Sequence, residues 1–555
     1  MGYLKRHWSV LISLLFAIIV ALFWVFPYRC ALSFQEQYQL FLLTPSYFSE
    51  RMSVPGGLAD YVAEFIVQFY YLYAIGAILL TLVFFCLQRL TWMLMSRCGA
   101  SHSWYLQSFV PAIALWAYMG NENVLLSFAI ALLGMEELML HALIVRDRCR
   151  HWGALPLYLL IAIPAGYWLL GPVVVGICIV PLLPRKQKTA EARPVVTPVG
   201  WTVASILYFV AVVFLCGLFL QYPYERLFGG INYFRYPTAV PVAQWVVEAL
   251  FVCLPLIVSY LPQFENKKAV RVGVAQLFAI ILCAVGLLRL GFDRATYELI
   301  DYDYLVRTHQ WQRIIDKAKR HQASSPMSDA ERYTFEAQEA IPNYRKSGRL
   351  TRRIAQCEII NGNYAVASKY LRLLENSLFY RGWAKRQERF LYNDQAVNAD
   401  QEYGRLRDLR IKHHDYLFSD QEMDQMLGLL LIDNKKYDNR MAYECLIAYE
   451  LLQRDLERLM KYYPLGRFVR FDHIPYAIQQ VLIGTWLERH NTLQGMPYSV
   501  DQRNVEATVA FIRTYMTNRN DPALNQPPLF YNAWHYLLLG GNTKRKGKEK
   551  MPGIY

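Results

Sequence analysis

Hydrophobic residues arrive along this chain in long uncharged blocks up to about Leu290 and in short helical periods after it. The blocks are Trp8 to Phe26, Tyr61 to Leu87, Ser103 to Tyr118, Val124 to Val145, Leu155 to Leu183, Gly200 to Leu220, Val240 to Leu261 and Val272 to Leu290. A bilayer core about 30 Å thick needs about 20 helical residues to cross it, and a helix satisfies its own backbone groups there. The block from Leu155 to Leu183 is too long for one upright helix and carries PAGYWLLGP at its middle, so it reads as two short helices. The pattern predicts nine crossings, with the third, fifth and sixth short or tilted.

Charge placement tests that count. Lys5 and Arg6, Arg89 and Arg97, Arg146, Arg148 and Arg150, Arg185, Lys186, Lys188 and Arg193, and Lys267, Lys268 and Arg271 all fall on one side. The alternate loops hold only Arg29, Arg51, Arg226 and Arg235. Lys and Arg are retained on the cytoplasmic side. The expected arrangement is therefore an inner-membrane protein with a cytoplasmic N-terminus, and everything after Phe292 is periplasmic. The first block is followed by bulky WVFPYRC rather than a small-residue cleavage site, so it reads as an uncleaved anchor.

Beyond Phe292 the period becomes helical. In YDYLVRTHQWQRIIDKAKRH, residues Tyr304, Leu305, Trp311, Ile314, Ile315 and Ala318 share one face. The segment around Gly362, Tyr364, Ala367 and Tyr370 places a small residue at a helix end and an Ala where two helices approach, followed by Leu371, Leu373 and Leu374. That spacing resembles a tetratricopeptide repeat; Ala442, Ala448, Tyr449 and Leu456, with Pro464 as a stop, offer a second copy. A non-repetitive helical bundle is the alternative. The fold class expected is thus all-α. A polytopic helical bundle of about nine spans occupies 1–291, a water-soluble α-helical, repeat-like domain occupies 292–540, and a basic tail carrying KRKGKEK occupies 541–555. An array of helix pairs presents a concave surface suited to an extended protein partner.

The net charge of +14 reflects those topological residues and the tail, so nucleic acid is not an expected partner. Most of the ten cysteines lie in or beside the apolar blocks. Cys357 and Cys445 fall at apolar helix positions, where cysteine acts as a small core residue. There is no CxxC and no metal-ligand spacing, and the adjacent His413 and His414 point apart on a helix and read as a solvated face. No metal is expected, and the sequence specifies no cofactor.

The first outer loop, 29–62, is longer than a turn requires. SFQEQYQLF, from Ser33 to Phe41, could lie along the bilayer surface with its aromatic side chains down and its amides up. Pro45 and Pro55-Gly56-Gly57 break it. The next helix carries Asp60 and Glu64 four residues apart, with Gln68 one turn on, so all three share a face. Polar groups at the membrane edge are costly unless they are paired or face a cavity, which makes Glu64 and Gln68 cavity candidates.

This arrangement resembles the GT-C superfamily of membrane glycosyltransferases, which begin with one span, a long outer loop of surface-lying helices, and then the remaining spans. Members place an acidic residue just after the first span, often in an Asp-Glu-x-x-Tyr-like setting; here Gln35-Glu36-Gln37-Tyr38 stands there, with Gln in the partner position. The resemblance covers about the first 290 residues. Some members also end in a tetratricopeptide array. The chain is also similar to an uncharacterised family of multi-pass membrane proteins of Bacteroidota, through EQYQLF and PGGLADY. The resemblance implies a polyprenyl-phosphate-linked sugar as donor. Glu36, or else Asp60, would then be the catalytic base, and Arg226 and Arg235 would hold the lipid phosphate.

Each residue also has a plainer role. Glu36 can be a solvated interfacial residue, Asp60 a helix-terminal charge, Arg226 a partner of Glu225, and Glu64 and Gln68 glue between helices. Three classes of function remain. These are a transferase of a lipid-linked sugar, a non-catalytic membrane scaffold for envelope assembly or secretion, and a transporter using Glu136, Glu137 and His141 as a proton relay.

Overall fold

In the computed structural model, residues 2–38, 40–148, 153–184, 197–236, 240–264, 266–320, 347–409, 440–468 and 474–539 are described, with isolated positions between 424 and 431. His413, His414 and the basic tail 541–555 lie outside them. The chain forms two compact units that divide after Tyr392. Both are helical; among the described residues the sole strand-like contact is one antiparallel bridge between Val124 and Phe234.

The first unit begins with α1 (Gly2–Val25), α2 (Arg29–Gln35), α3 (Pro45–Arg51) and α4 (Gly57–Val67). It continues with α5 (Tyr73–Arg97), α6 (Phe109–Tyr118), α7 (Leu126–Arg148), α8 (Ala154–Leu170), α9 (Pro198–Phe219) and the short α10 (Tyr224–Gly229). The helices α11 (Val242–Ser259) and α12 (Asn266–Gly291) follow. Among the described residues six helices are long and apolar enough to cross a membrane: α1, α5, α7, α9, α11 and α12. The other three segments of the ninefold pattern are shorter: α6, α8 and the 3₁₀ stretch Pro172–Leu182.

The second apolar block is not one helix. α4 ends at Val67, a 3₁₀ turn covers Gln68–Tyr71, and Leu72 leaves helical geometry before α5 starts. The break has a packing cause. Gly76 presses against the ring of Tyr70, and α4 is turned so that Asp60 and Glu64 meet Arg51.

Several polar side chains inside the bundle are bonded to one another, as burial favours. Ser13 Oγ donates to Gln88 Oε1 at 2.5 Å, Gln88 Nε2 donates to Ser108 Oγ at 2.7 Å, and Thr91 Oγ1 donates to Glu136 Oε1 at 2.7 Å. These bonds tie α1, α5 and α7 together around the apolar core formed by residues such as Trp24, Tyr70, Phe84 and Phe128.

After α12 the first unit adds α13 (Arg294–Arg307) and α14 (Trp311–Arg320), capped at Asp293 by bonds from the Ala295 and Thr296 amides. Periodicity predicted one helical face through both; instead His309 takes a positive φ of 55° between them, and Trp311 is exposed. α15 (Gly348–Asn361) and α16 (Tyr364–Glu375) form a hairpin, and α17 (Arg381–Gln387) packs on α16. The hairpin turns at Gly362, whose φ of +82° suits a left-handed helix end. Ala355, Ile359, Ala367 and Leu374 are fully buried there.

The second unit contains α18 (Asp394–Ala399), α19 (Gln401–Leu409), α20 (Arg440–Gln453), α21 (Leu456–Tyr462), α22 (Tyr476–His490), α23 (Gln502–Thr517) and α24 (Ala533–Leu538). Ala442 is buried in α20, but Ala448 is exposed. Cys357 and Cys445 are exposed as well, not core residues; their helices turn neighbouring Ile359 and Leu446 inward instead.

Candidate functional site

The segment between α1 and α5 is a packed layer. Leu32, Gln35, Glu36, Tyr38, Leu40 and Phe41 are buried, so the described residues of SFQEQYQLF lie inside the unit rather than along a surface. What covers it is the hairpin. Arg349 Nη2, at the start of α15, donates to Ser33 O at 2.6 Å and lies 3.4 Å from Glu36 Oε2. The Tyr380 hydroxyl donates to Glu36 Oε1 at 2.8 Å, and the Leu43 amide donates to Asn376 O at 2.8 Å. Phe379 stacks on Tyr71, with centroids 5.1 Å apart. Arg307, paired with Asp303 at 2.7 Å, also reaches Ser33.

Burial pushes the Glu36 carboxyl above its ordinary range, against the opposing charge of Arg349 and the bond from Tyr380. Burial and the neighbouring Arg307 likewise hold the Arg349 guanidinium below its usual range. Around Glu36, Gln68, Ser377 and Tyr380 the free space is about 10 Å³, roughly one water. Gln68 lines that space and donates weakly to Phe65 O at 3.4 Å.

Asp60 and Glu64 form a second cluster. Arg51 Nε lies 3.2 Å from Glu64, and Arg51 Nη1 lies 3.7 Å from Asp60. The Tyr47 hydroxyl donates to Glu64, and the Arg51 guanidinium sits 4.8 Å from the Tyr47 ring centre. Burial and the Glu64 charge push the Tyr47 hydroxyl far up. Burial works against the Arg51 charge, but Glu64, Tyr47 and Asp60 together outweigh it and raise its pKa. α3 is set for this contact by its start, where Thr44 accepts from the Tyr47 amide and Pro45 supplies the first helical residue.

The two arginines expected to hold phosphate stand elsewhere. Arg226 is buried and donates to Ile231 O at 2.6 Å and Tyr236 O at 3.2 Å, clamping the loop that follows α10. Arg235 lies over Tyr38, 4.1 Å from the ring centre. Glu36, Gln68, Arg307, Arg349 and Tyr380 are thus brought together; Asp60 and Glu64 form a separate group, and Arg226 stands apart from both. Arg349 and Tyr380 carried no sequence signal, since GRLTRR reads as a solvated helix face and FYRG as a loop.

A cavity of about 530 Å³ opens between α4, α5, α7 and α8, with an almost wholly apolar wall. Leu58, Ala59 and Val62 of α4 line it. At about 100° per helical residue, these three occupy the face opposite Asp60 and Glu64. The carboxylates therefore point away from the cavity, and none of Glu36, Asp60, Glu64, Arg226 and Arg235 lines it. Among the described residues no cluster of three His, Cys, Asp or Glu could hold a metal ion.

No curated protein and no solved structure matches the chain. One family does, over residues 5–329 and 326–540, and the chain belongs to it: the Family of unknown function (DUF6057).

Proposed function

We propose that the protein is a membrane-anchored scaffold of the cell envelope. In this reading nine segments cross the inner membrane, the N-terminus is cytoplasmic, and the region after Phe292 is periplasmic. The outer segment is the seat on which the α15–α16 hairpin rests. The helix pairs beyond, repeat-like in spacing, bind a protein partner. The observation that carries the reading is the Glu36 site. Its carboxylate is engaged by Tyr380 and Arg349, with room beside it for about one water. A general base needs an acceptor hydroxyl within hydrogen-bond reach, and a fastening residue needs only its partners.

The competing reading is a transferase of a polyprenyl-phosphate-linked sugar, with Glu36 or Asp60 as base and Arg226 or Arg235 on the phosphate. What favours it is the gathering of three buried carboxylates, Glu36, Asp60 and Glu64, in one outer segment. Complementation of a deletion strain separates the two. Glu36→Gln, which still accepts from Tyr380, retains function in a scaffold, as does an oxidised Glu36→Cys/Tyr380→Cys pair; deletion of 300–540 abolishes it. Loss of function in both Glu36 variants, with normal expression, would overturn the scaffold reading and favour the transferase.

A further inference from the structure

The 530 Å³ cavity carries charge at one end only. Leu58 and Val62 of α4, Leu133 of α7 and Leu170 of α8 form its apolar walls, and Arg89 of α5 and Glu137 of α7 complete the lining. The Thr91–Glu136 hydrogen bond fixes the levels of the two helices. Arg89 lies two residues before Thr91 and Glu137 one after Glu136, so both sit at the same end of the cavity. That end faces the basic ends of α5 and α7, where Arg97, Arg146 and Arg148 stand.

Neither charge is neutralised by the other within ion-pair distance among the described residues. Arg89 Nη1 makes a long contact, 3.4 Å, to the Tyr105 hydroxyl. Glu137 is 48 % exposed and meets His141 at 3.8 Å, itself 56 % exposed. Ionisable groups on an apolar span are costly and call for a partner of opposite charge. The volume falls within the range of roughly 300–1,000 Å³ typical of ligand sites.

We propose that this cavity binds one zwitterionic aminophospholipid, with a hydrocarbon chain against Leu58, Leu133 and Leu170, the phosphate on Arg89 and the ammonium on Glu137. Charge complementarity selects the occupant. A purely anionic head would satisfy Arg89 and be repelled by Glu137, and a choline head would bring a cation without hydrogen-bond donors. The site is independent of the scaffold reading, because none of the residues that fasten the hairpin lines it.

The test is native mass spectrometry of the full chain, delipidated and returned to nanodiscs containing equal phosphatidylethanolamine, phosphatidylglycerol and phosphatidylcholine, with a polyprenyl phosphate added in a second arm. One phosphatidylethanolamine retained per chain is the expected result. Retention should fall about tenfold in Arg89→Met and in Glu137→Gln, and also in Leu133→Trp, which fills the groove while keeping both charges. Monodisperse elution of each variant establishes that it is folded. Equal retention of the three phospholipids, preference for phosphatidylglycerol, displacement by the polyprenyl phosphate, or retention indifferent to all three substitutions would each overturn the proposal.

Discussion

The Tyr380 hydroxyl donates to the Glu36 carboxylate at 2.8 Å across 344 positions of sequence, with Arg349 3.4 Å away on the other carboxylate oxygen. This contact makes the segment between α1 and α5 and the hairpin parts of one packed layer. Removing Arg349 leaves Glu36 buried without its cation, a change that typically costs about 3–5 kcal/mol. Because the Arg349 side chain keeps 22 % exposure, the lower end of that range applies. Arg349→Met should therefore speed hydrogen exchange in 348–375 and lower the thermal midpoint in detergent. Arg349→Met/Glu36→Gln should recover part of the loss, and Tyr380→Phe should cost about 1.5–3 kcal/mol as the loss of one bond to a charged group. Unchanged exchange in Arg349→Met would mean that the hairpin is held by Phe379 and Leu43 alone.

Arg51 plays the same part for two carboxylates at once. With Asp60 and Glu64 fully buried and Arg51 between them, Arg51→Met strands two negative charges and should be the more damaging substitution, by at least about 3 kcal/mol. Adding Asp60→Asn and Glu64→Gln removes the charge that Arg51 compensates and should restore much of the stability. A thermal melt of the triple variant no better than Arg51→Met would show that packing on Tyr47, not charge, is what Arg51 supplies.

The long apolar helices were legible because length and hydrophobicity act locally: each of the six overlaps an apolar block visible in the sequence. The second block misled because its apolar run continues across Gln68–Leu72, while the break there is imposed by Tyr70 against Gly76 and by the pull of Arg51 on α4. Glu36, Asp60 and Glu64 stood out as acidic residues beside a membrane. The partners of Glu36 did not, since Arg349 and Tyr380 lie more than 300 residues away and periodicity carries no information about contacts at that range. The exposure of Cys357 and Cys445 had the same cause, because one helical turn offers several apolar positions and only tertiary packing selects among them.

Gly171 joins α8 to the 3₁₀ stretch 172–182 with φ 93° and ψ −165°, a region essentially confined to glycine. A Cβ there would also strike the Tyr233 hydroxyl, which donates to Leu170 O at 2.5 Å. Gly99 has a similar φ of +94° but open space around it. Gly99→Ala should therefore cost about 1–2 kcal/mol from the backbone alone, and Gly171→Ala distinctly more. Equal melting temperatures for the two variants would show that Tyr233 yields freely.

In the second unit Glu450 is buried beside Asp424, which accepts from the Tyr462 hydroxyl at 2.8 Å and from Arg458 at 3.3 Å, with Asp455 close by. Burial and then the Asp424 charge push the Glu450 carboxyl from 4.5 up to about 7, against the attraction of Arg458. The native state therefore holds a proton that the unfolded chain releases between those values. The stabilising contribution is complete below about pH 4.5 and is lost as the pH rises through about 7. Hydrogen exchange in α20 should accordingly be slower at pH 5.5 than at pH 8, after correction for intrinsic rates. Glu450→Gln, neutral throughout, should flatten that dependence and protect α20 at pH 8. Exchange that stays as pH-dependent in Glu450→Gln as in the parent would show that Glu450 is not the group responsible.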